Sequence, residues 1–533
     1  MVTLLSLLFF GAAEPAAPDM WALAQRNADV LRISTLFPAQ QVPQDLATDA
    51  GIDRAIAWCR TLGITHVYIE SFRTGAVPPK EMLAHARDRF REAGFLVSGC
   101  ITPAGYGKPS TGWSLFSCYT SPETQRVLRE MSQYAAGLFD EVMIDDFLAT
   151  DCQCDSCRAA KGDRSWADFR TDLMLELSRA HIIEAGRAVN PNVQFIIKYP
   201  CWHESFQERG YDVDRQSQLF PKTWVGTETR GTQRTGAAEP QYRAYWLMRW
   251  LMGIGQEKCG GGWYDTIDTA PLFYLEQGRQ TVLGGAREAF LFNAGALMHS
   301  PGGQADAAAL REELPLHFEL ARLIHGKQPR GLSGWKPMNS PAEPDGNLHS
   351  LLGMAGFPVT AAHEFDADAP GYVFGAQALY DPQWPAALNA ALRSGRPVLA
   401  TPSFAEQARQ QGAELAGLDQ VLMLPALPDP NRYAALETMP PEELNALRDR
   451  ACLALGVTFH APARVALYLF GDDVAVVENF RDEPVRCELG IEGWKGFQSV
   501  LVMPAGSEAG VSGGNPAALV LPPRSLLAVR RSD

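Results

Sequence analysis

Between residues 30 and 295, short runs rich in β-branched and aromatic residues alternate with longer stretches whose apolar positions recur near every 3.6 residues. The runs are VLRISTLF (30–37), THVYIESF (65–72), FLVSGCIT (95–102), EVMIDDF (141–147), VQFIIKYP (193–200), TWVGTETR (223–230), EKCGGGWYD (257–265) and EAFLFNAGA (288–296). The stretches between them, MLAHARDRFREAG and TQRVLREMSQYAAGLF among them, carry a helical stripe, and several stop at glycine. Eight β/α units of ~30 to 50 residues predict an α/β fold of the (β/α)8, or TIM-barrel, type. A doubly wound open sheet is the rival. Strand count and spacing favour the barrel, and no G-x-G-x-x-G follows a first strand.

The pattern changes near residue 336, in the Pro/Gly/Asn-rich stretch GWKPMNSPAEPDGN, which reads as a domain boundary. Beyond it, over 336–455, short strands such as YVFGAQALYD alternate with helical segments and predict a small α/β domain. From 460 to 533 the runs ARVALYLF, VAVVENF, VRCELGI, FQSVLVMP and SLLAVRR are separated by turn signals alone, as in a β-sandwich. The barrel is thus assigned to 21–335. Residues 1–20, opening MVTLLSLLFFGAAEPAAP, have the length and apolarity of an export signal without its usual positive start. They are too short to span a bilayer. A secreted or periplasmic protein is the expectation, with a packed N-terminal segment in the cytoplasm as the alternative.

A 533-residue chain needs more than one core. Its 61 acidic and 47 basic residues leave a net charge of −14 with no Lys/Arg-rich run, which argues against a nucleic-acid partner. Twelve Trp, fourteen Tyr and 37 Pro match a loop-rich enzyme with aromatic surfaces.

In a barrel, chemistry comes from the C-terminal strand ends. Here those ends supply Glu70 with Arg73, Thr102, Asp145 with Asp146, Lys198 with Tyr199, Glu228 with Arg230, then Trp263, Tyr264 and Asp265, and last Asn293. Carboxylates and aromatics, with no phosphate-binding glycine loop, suit a neutral sugar. Glycoside hydrolysis needs two carboxyl groups flanking the scissile bond and aromatic platforms for the sugar. Asp146, Glu228 and Asp265 are the acids expected nearest that bond. Strand alternation turns Asp145 and Asp146 apart, so Asp146 is taken as the acid/base and Asp145 as the group that orients a neighbour. A helix N-cap is the alternative for this pair. Arg230 either holds Glu228 ionised or forms a structural ion pair, and Asp265 after three glycines is otherwise a turn residue. Lys198 should meet a carboxylate or a substrate hydroxyl, or else lie exposed. Tyr199, Trp202 and Glu204 are placed along the same cleft, with Trp202 as a core residue the competing reading. His66 and His203 show no metal-ligand spacing and read as structural. Two further functions stay open: a carbohydrate-binding barrel without catalysis, and a sugar lyase or epimerase with Lys198 as base.

Cys152, Cys154 and Cys157 form C-x-C-x2-C, a spacing that a tetrahedral metal gathers if a fourth sulfur is supplied. Cys118, in the loop after the third strand, is the best candidate. A disulfide plus an odd thiol is the alternative.

With "DCQCDSC" and "CYTSPE" the chain resembles the glycoside hydrolase family 42 type of β-galactosidase and its clan-A-like relatives. That resemblance implies a barrel, a flavodoxin- or amidotransferase-like α/β domain used in oligomer formation, and a C-terminal β-domain. It also implies structural zinc on Cys118, Cys152, Cys154 and Cys157, with no catalytic cofactor, a carbohydrate substrate and a homo-oligomer joined through the small domain. The departures are local. The family carries Asn-Glu at the end of its fourth strand, where this chain has Asp145-Asp146, and its seventh-strand Glu nucleophile is matched by Asp265.

Overall fold

The computed structural model describes residues 19–230, 240–411, 421–425 and 435–532. Of the leader assigned to 1–20, residues 1–18 lie outside the described residues. Met20 opens the helix Met20–Asn27, which Asp19 caps by accepting from the Ala22 amide.

Eight parallel strands close into a barrel in chain order: β1 (Arg32–Phe37), β2 (Ile64–Arg73), β3 (Leu96–Thr102), β4 (Glu141–Ile144), β5 (Gln194–Tyr199), β6 (Lys222–Gly226), β7 (Cys259–Asp265) and β8 (Glu288–Phe292). β8 returns to β1 with Arg32 opposite Glu288, which excludes the open sheet. Each strand gives one side chain to a central plug of Leu36, Tyr68, Cys100, Met143, Ile196, Trp224, Trp263 and Phe290. Side chains on a strand alternate faces, so the inward positions can be counted in steps of two from this plug. Two residues towards the C-terminal end lie Glu70, Thr102, Asp145, Lys198, Gly226, Asp265 and Phe292. Two residues the other way lie His66, Ser98, Glu141, Lys222 and Glu288. His66 there bonds Glu288 through Nδ1 (2.9 Å) and Ser98 through Nε2 (2.8 Å), a structural role as expected.

Past β9 (Pro329–Arg330), the second sheet runs in parallel order β11-β10-β12-β13-β14, built from β10 (Leu332–Trp335), β11 (Val359–Ala362), β12 (Tyr372–Phe374), β13 (Val398–Ala400) and β14 (Leu422–Met423). Numbered from β10, that order is the 2-1-3-4-5 of flavodoxin-like folds. Its first strand ends at Trp335, so this sheet begins just before residue 336. At its seam with the barrel, the helix Tyr242–Gly255 presents Trp250, whose Nε1 donates to the Lys336 carbonyl (2.8 Å). Lys336 itself is buried, with Nζ 4.5 Å from the centre of the Trp250 ring and donating to Ser340 O (2.8 Å) and Oγ (2.9 Å).

The C-terminal strands are β15 (Val457–His460), β16 (Val465–Phe470), β17 (Val474–Asn479), β18 (Val485–Ile491), β19 (Gly496–Met503), β20 (Gly510–Gly513), β21 (Ala517–Leu521) and β22 (Leu526–Ser532). They form two sheets, β15-β18-β21-β20 and β19-β22-β17-β16-β9, so the chain lends β9 back to the sandwich before entering the second sheet. A polar network ties the sandwich to the barrel helix Pro271–Leu283: Arg279 bonds Glu313 through Nε (2.8 Å) and Nη2 (2.5 Å) and donates from Nη1 to the Arg524 carbonyl (2.9 Å). Beside it, Gln280 donates to the Tyr468 hydroxyl (2.7 Å).

Candidate active site

The layer above the plug holds an ion network. Lys198 Nζ donates to Asp145 Oδ1 (2.5 Å), and Arg73 donates from Nη2 to Asp145 Oδ2 (2.7 Å) and from Nε to Glu70 Oε2 (2.8 Å). The Ala39 amide also donates to Glu70 (2.8 Å), and the Thr102 hydroxyl sits within reach of both Glu70 and Asp145. Lys198 lies over the Trp263 ring, 3.8 Å from its centre. Burial would raise the Asp145 carboxyl, but Lys198 and Arg73 outweigh it and hold the group well below the usual carboxylate range. Asp145 and Glu70 are sealed in, at 2% and 0% exposure. Each is held in an ion pair with Arg73.

Asp146 behaves differently because β4 ends at Ile144 and the chain leaves the ladder after Asp145, whose amide donates to Ile101 O (2.9 Å). Its carboxyl is half-buried, and burial together with the charge of Asp145 pushes it up to about 6. The Tyr211 hydroxyl fixes the Asp146 carbonyl (2.9 Å). Glu228 follows β6 at the inward parity. Burial, then Asp146 and Asp265, raise it well above an ordinary glutamate, and its Oε2 has no hydrogen-bond partner among the described residues. Gly226 makes room for it: a Cβ there would lie 2.7 Å from Glu228 Oε2 and 2.6 Å from the Cys201 amide. Arg230 does not pair with Glu228. It forks onto Asp265 instead, through Nε (3.1 Å) and Nη2 (2.8 Å), and the Ile267 amide completes the carboxylate's shell (3.0 Å). Asp146, Glu228 and Asp265, from the ends of β4, β6 and β7, thus come together close enough to act on one another electrostatically.

Other expected residues go elsewhere, and strand parity is the reason. Tyr199 and Tyr264 occupy outward positions. Tyr199 bonds Ser217 (3.0 Å) and packs on Phe206 and Tyr211, while Tyr264 packs on Tyr274. Trp263 points inward, with its ring under the Lys198 amine. Asn293 caps the helix Ala294–His299 by accepting from the Ala296 amide (2.9 Å). Trp202 is half-buried against Tyr211, with ring centres 5.5 Å apart.

Beside the acids, Cys118, Cys152, Cys154 and Cys157 bring four sulfurs within 4.8 Å of one another. The sulfur–sulfur separations, 3.5 Å for Cys118–Cys154 and 3.7 Å for both Cys118–Cys157 and Cys154–Cys157, exceed a disulfide bond of about 2.05 Å and match the ~3.7 Å edge of a tetrahedron with ~2.3 Å metal–sulfur bonds. The disulfide alternative is set aside on that geometry.

A family model described as "Probable glycosyl hydrolase, catalytic domain" matches residues 19–314, more than half of the chain. The chain belongs to this glycosyl hydrolase family. The matched span contains every barrel strand and all three facing acids of the glycosyl hydrolase domain. An uncharacterized protein of Saccharolobus solfataricus is 24% identical over 282 residues, 46% of each chain, so the chain spans less than half the length of this curated relative. Among solved structures, the β-galactosidase of Bacillus circulans sp. alkalophilus is similar with a TM-score of 0.60 at 11% identity, covering 94% of this chain and 99% of that one. Gan42B, a GH42 β-galactosidase of G. stearothermophilus, gives 0.59 at 9% identity over 94% and 98%. At such identities the likeness is one of fold, and it extends beyond the glycosyl hydrolase barrel through both C-terminal domains.

Proposed function

We propose that the chain hydrolyses a glycosidic bond in an oligosaccharide or glycoside, with Asp146 as proton donor and Asp265 as the opposing carboxylate. The observation that carries this reading is the division of the facing acids. Burial and neighbouring charge raise the carboxyls of Asp146, to about 6, and of Glu228, whereas Asp265 is paired with Arg230. As the bond from the anomeric carbon to the leaving oxygen breaks, the proton of Asp146 passes to that oxygen. Asp265 supports the developing positive charge on the sugar and serves as nucleophile or as the base that takes a proton from water. Glu228, neutral and with an unused oxygen, hydrogen-bonds a sugar hydroxyl. Arg73, Lys198 and Glu70 keep Asp145 in place behind Asp146.

The lyase or epimerase reading loses its base. Burial would strip the proton from Lys198, but its contact with Asp145 prevails and holds the amine charged. We further propose zinc as the ion of the four-cysteine site, in a structural role, since four protein sulfurs leave no open position.

The test is turnover of a panel of p-nitrophenyl glycosides and disaccharides. Asp146→Asn and Asp265→Asn should each lower kcat on a disaccharide by about 10²- to 10⁴-fold while binding persists. Undiminished turnover in both variants would sink the assignment. Binding without turnover in the unaltered chain would establish the non-catalytic alternative.

A further inference from the structure

Trp113 is the one exposed tryptophan among the described residues, 48% accessible, on the loop between β3 and the helix Pro122–Ala136. Isolated exposed apolar residues are ordinary. This one is held on an unusually well-tied loop. Its amide donates to Asp151 Oδ2 (2.9 Å), the Ser110 hydroxyl bonds the other Asp151 oxygen, and Arg209 pairs with Asp151 (2.7 Å) while its guanidinium lies over the Phe116 ring. Gln153 N donates to Thr111 Oγ1 (2.8 Å), and Gly112 is required because a Cβ would lie 2.4 Å from the Asp151 carboxyl. The loop then runs into Cys118 of the four-sulfur cluster. None of these ties uses the indole. Phe116 and Phe147 support it at ring-centre distances of 4.9 and 5.5 Å, tilted by 76° and 40°, so neither stacks flat on it.

Phe147 comes directly after Asp146. The indole is therefore one ring contact from the residue that follows the proton donor, on the β3–β4 side of the mouth, whereas Glu228 and Asp265 come from the ends of β6 and β7. A general acid touches the leaving-group oxygen, so whatever departs with that oxygen lies on the side of Asp146. We propose that Trp113 is the stacking platform of the leaving-group subsite and that its occupant is a pyranose ring, which makes the natural substrate a di- or oligosaccharide and not a glycoside of a small alcohol. This rests on Asp146 being the proton donor.

The experiment takes the glycon that the unaltered chain turns over and presents it as a glycosyl fluoride, whose leaving group is too small to reach the platform, and as a disaccharide. Trp113→Ala should lower kcat/KM for the disaccharide by about 10- to 100-fold and change it less than about twofold for the fluoride; Trp113→Phe should retain most of the disaccharide activity. Equal losses on both substrates, or none on either, overturn the subsite while leaving the hydrolase reading intact. A change in oligomeric mass in Trp113→Ala with unchanged kinetics overturns it in favour of a protein contact. If the unaltered chain cleaves no glycoside of the panel, the hydrolase reading fails and the subsite with it.

Discussion

Two adjacent aspartates in one sequence are pushed in opposite directions, Asp145 below the usual carboxylate range and Asp146 up to about 6. Asp145 remains in the strand layer between Lys198 and Arg73, while Asp146 sits one residue past the ladder, facing the charge of its neighbour. If Asp146 gives the proton, kcat/KM falls as pH rises through about 6, because the carboxyl then reaches the bond already ionised. A pH–rate profile checks this. Asp146→Asn should abolish that limb and lose less rate on a 2,4-dinitrophenyl glycoside, whose leaving group needs no proton, than on a disaccharide. Lys198→Met leaves Asp145 buried with Arg73 alone and should cost about 3 to 5 kcal/mol in denaturant unfolding, the usual result of removing one member of a buried pair. Period-two alternation separates Asp145 from Asp146 but turns Asp145 inward; that Asp146 reaches the site depends on the chain leaving the ladder after Ile144, which the sequence does not mark. Nor does it mark the partner of Arg230, since a residue at positive φ (54°) leaves the strand pattern and can reach across to β7. Trp113 gives no sequence signal because it lies in a turn-rich loop, where no periodicity marks which way a side chain faces.

The strands themselves are readable, since all eight barrel runs become strands in the order expected, with ends shifted by a few residues. β4 is trimmed by three residues, stopping at Ile144, and so frees Asp146. Parity counted from the plug turns Tyr199 and Tyr264 outward, but which alternate set faces inward depends on closure, a tertiary fact. In the sandwich, β15 and β20 escape a sequence reading because they are only four residues long, β20 with two Gly and a Ser, and β21 because it opens on two Ala. The loops after β3 and β4 are joined by the four cysteines. Elemental analysis should find about one zinc per chain, and Cys154→Ser should lower the melting temperature while leaving the pH–rate profile in place. Loss of activity without loss of stability would speak against a structural ion.

At the scale of the molecule, the barrel leans on the domains C-terminal to it. Arg279, on a barrel helix, is enclosed by Glu313 and by the backbone of Arg524 on the loop leading into β22. Truncation after residue 325 would leave these groups and the apolar face around them without cover, so a barrel fragment should aggregate or melt well below the whole chain, which should unfold in one calorimetric transition. The order of barrel, parallel sheet and antiparallel sheets is legible from strand spacing and turn signals; that β9 crosses back into the sandwich is not, because a two-residue strand has no pattern. Lys336 draws a different consequence from the seam. Burial against Trp250 lowers its amine to about 7, whereas an unfolded lysine titrates near ~10.4. Between those values the unfolded chain binds a proton that the folded chain has released, so folding is coupled to proton release and alkaline pH favours the native state. Unfolding free energy should therefore climb from about pH 7 towards about pH 10 more steeply in the natural chain than in Lys336→Met, making the seam a proton-linked spring that tightens as the solution turns basic.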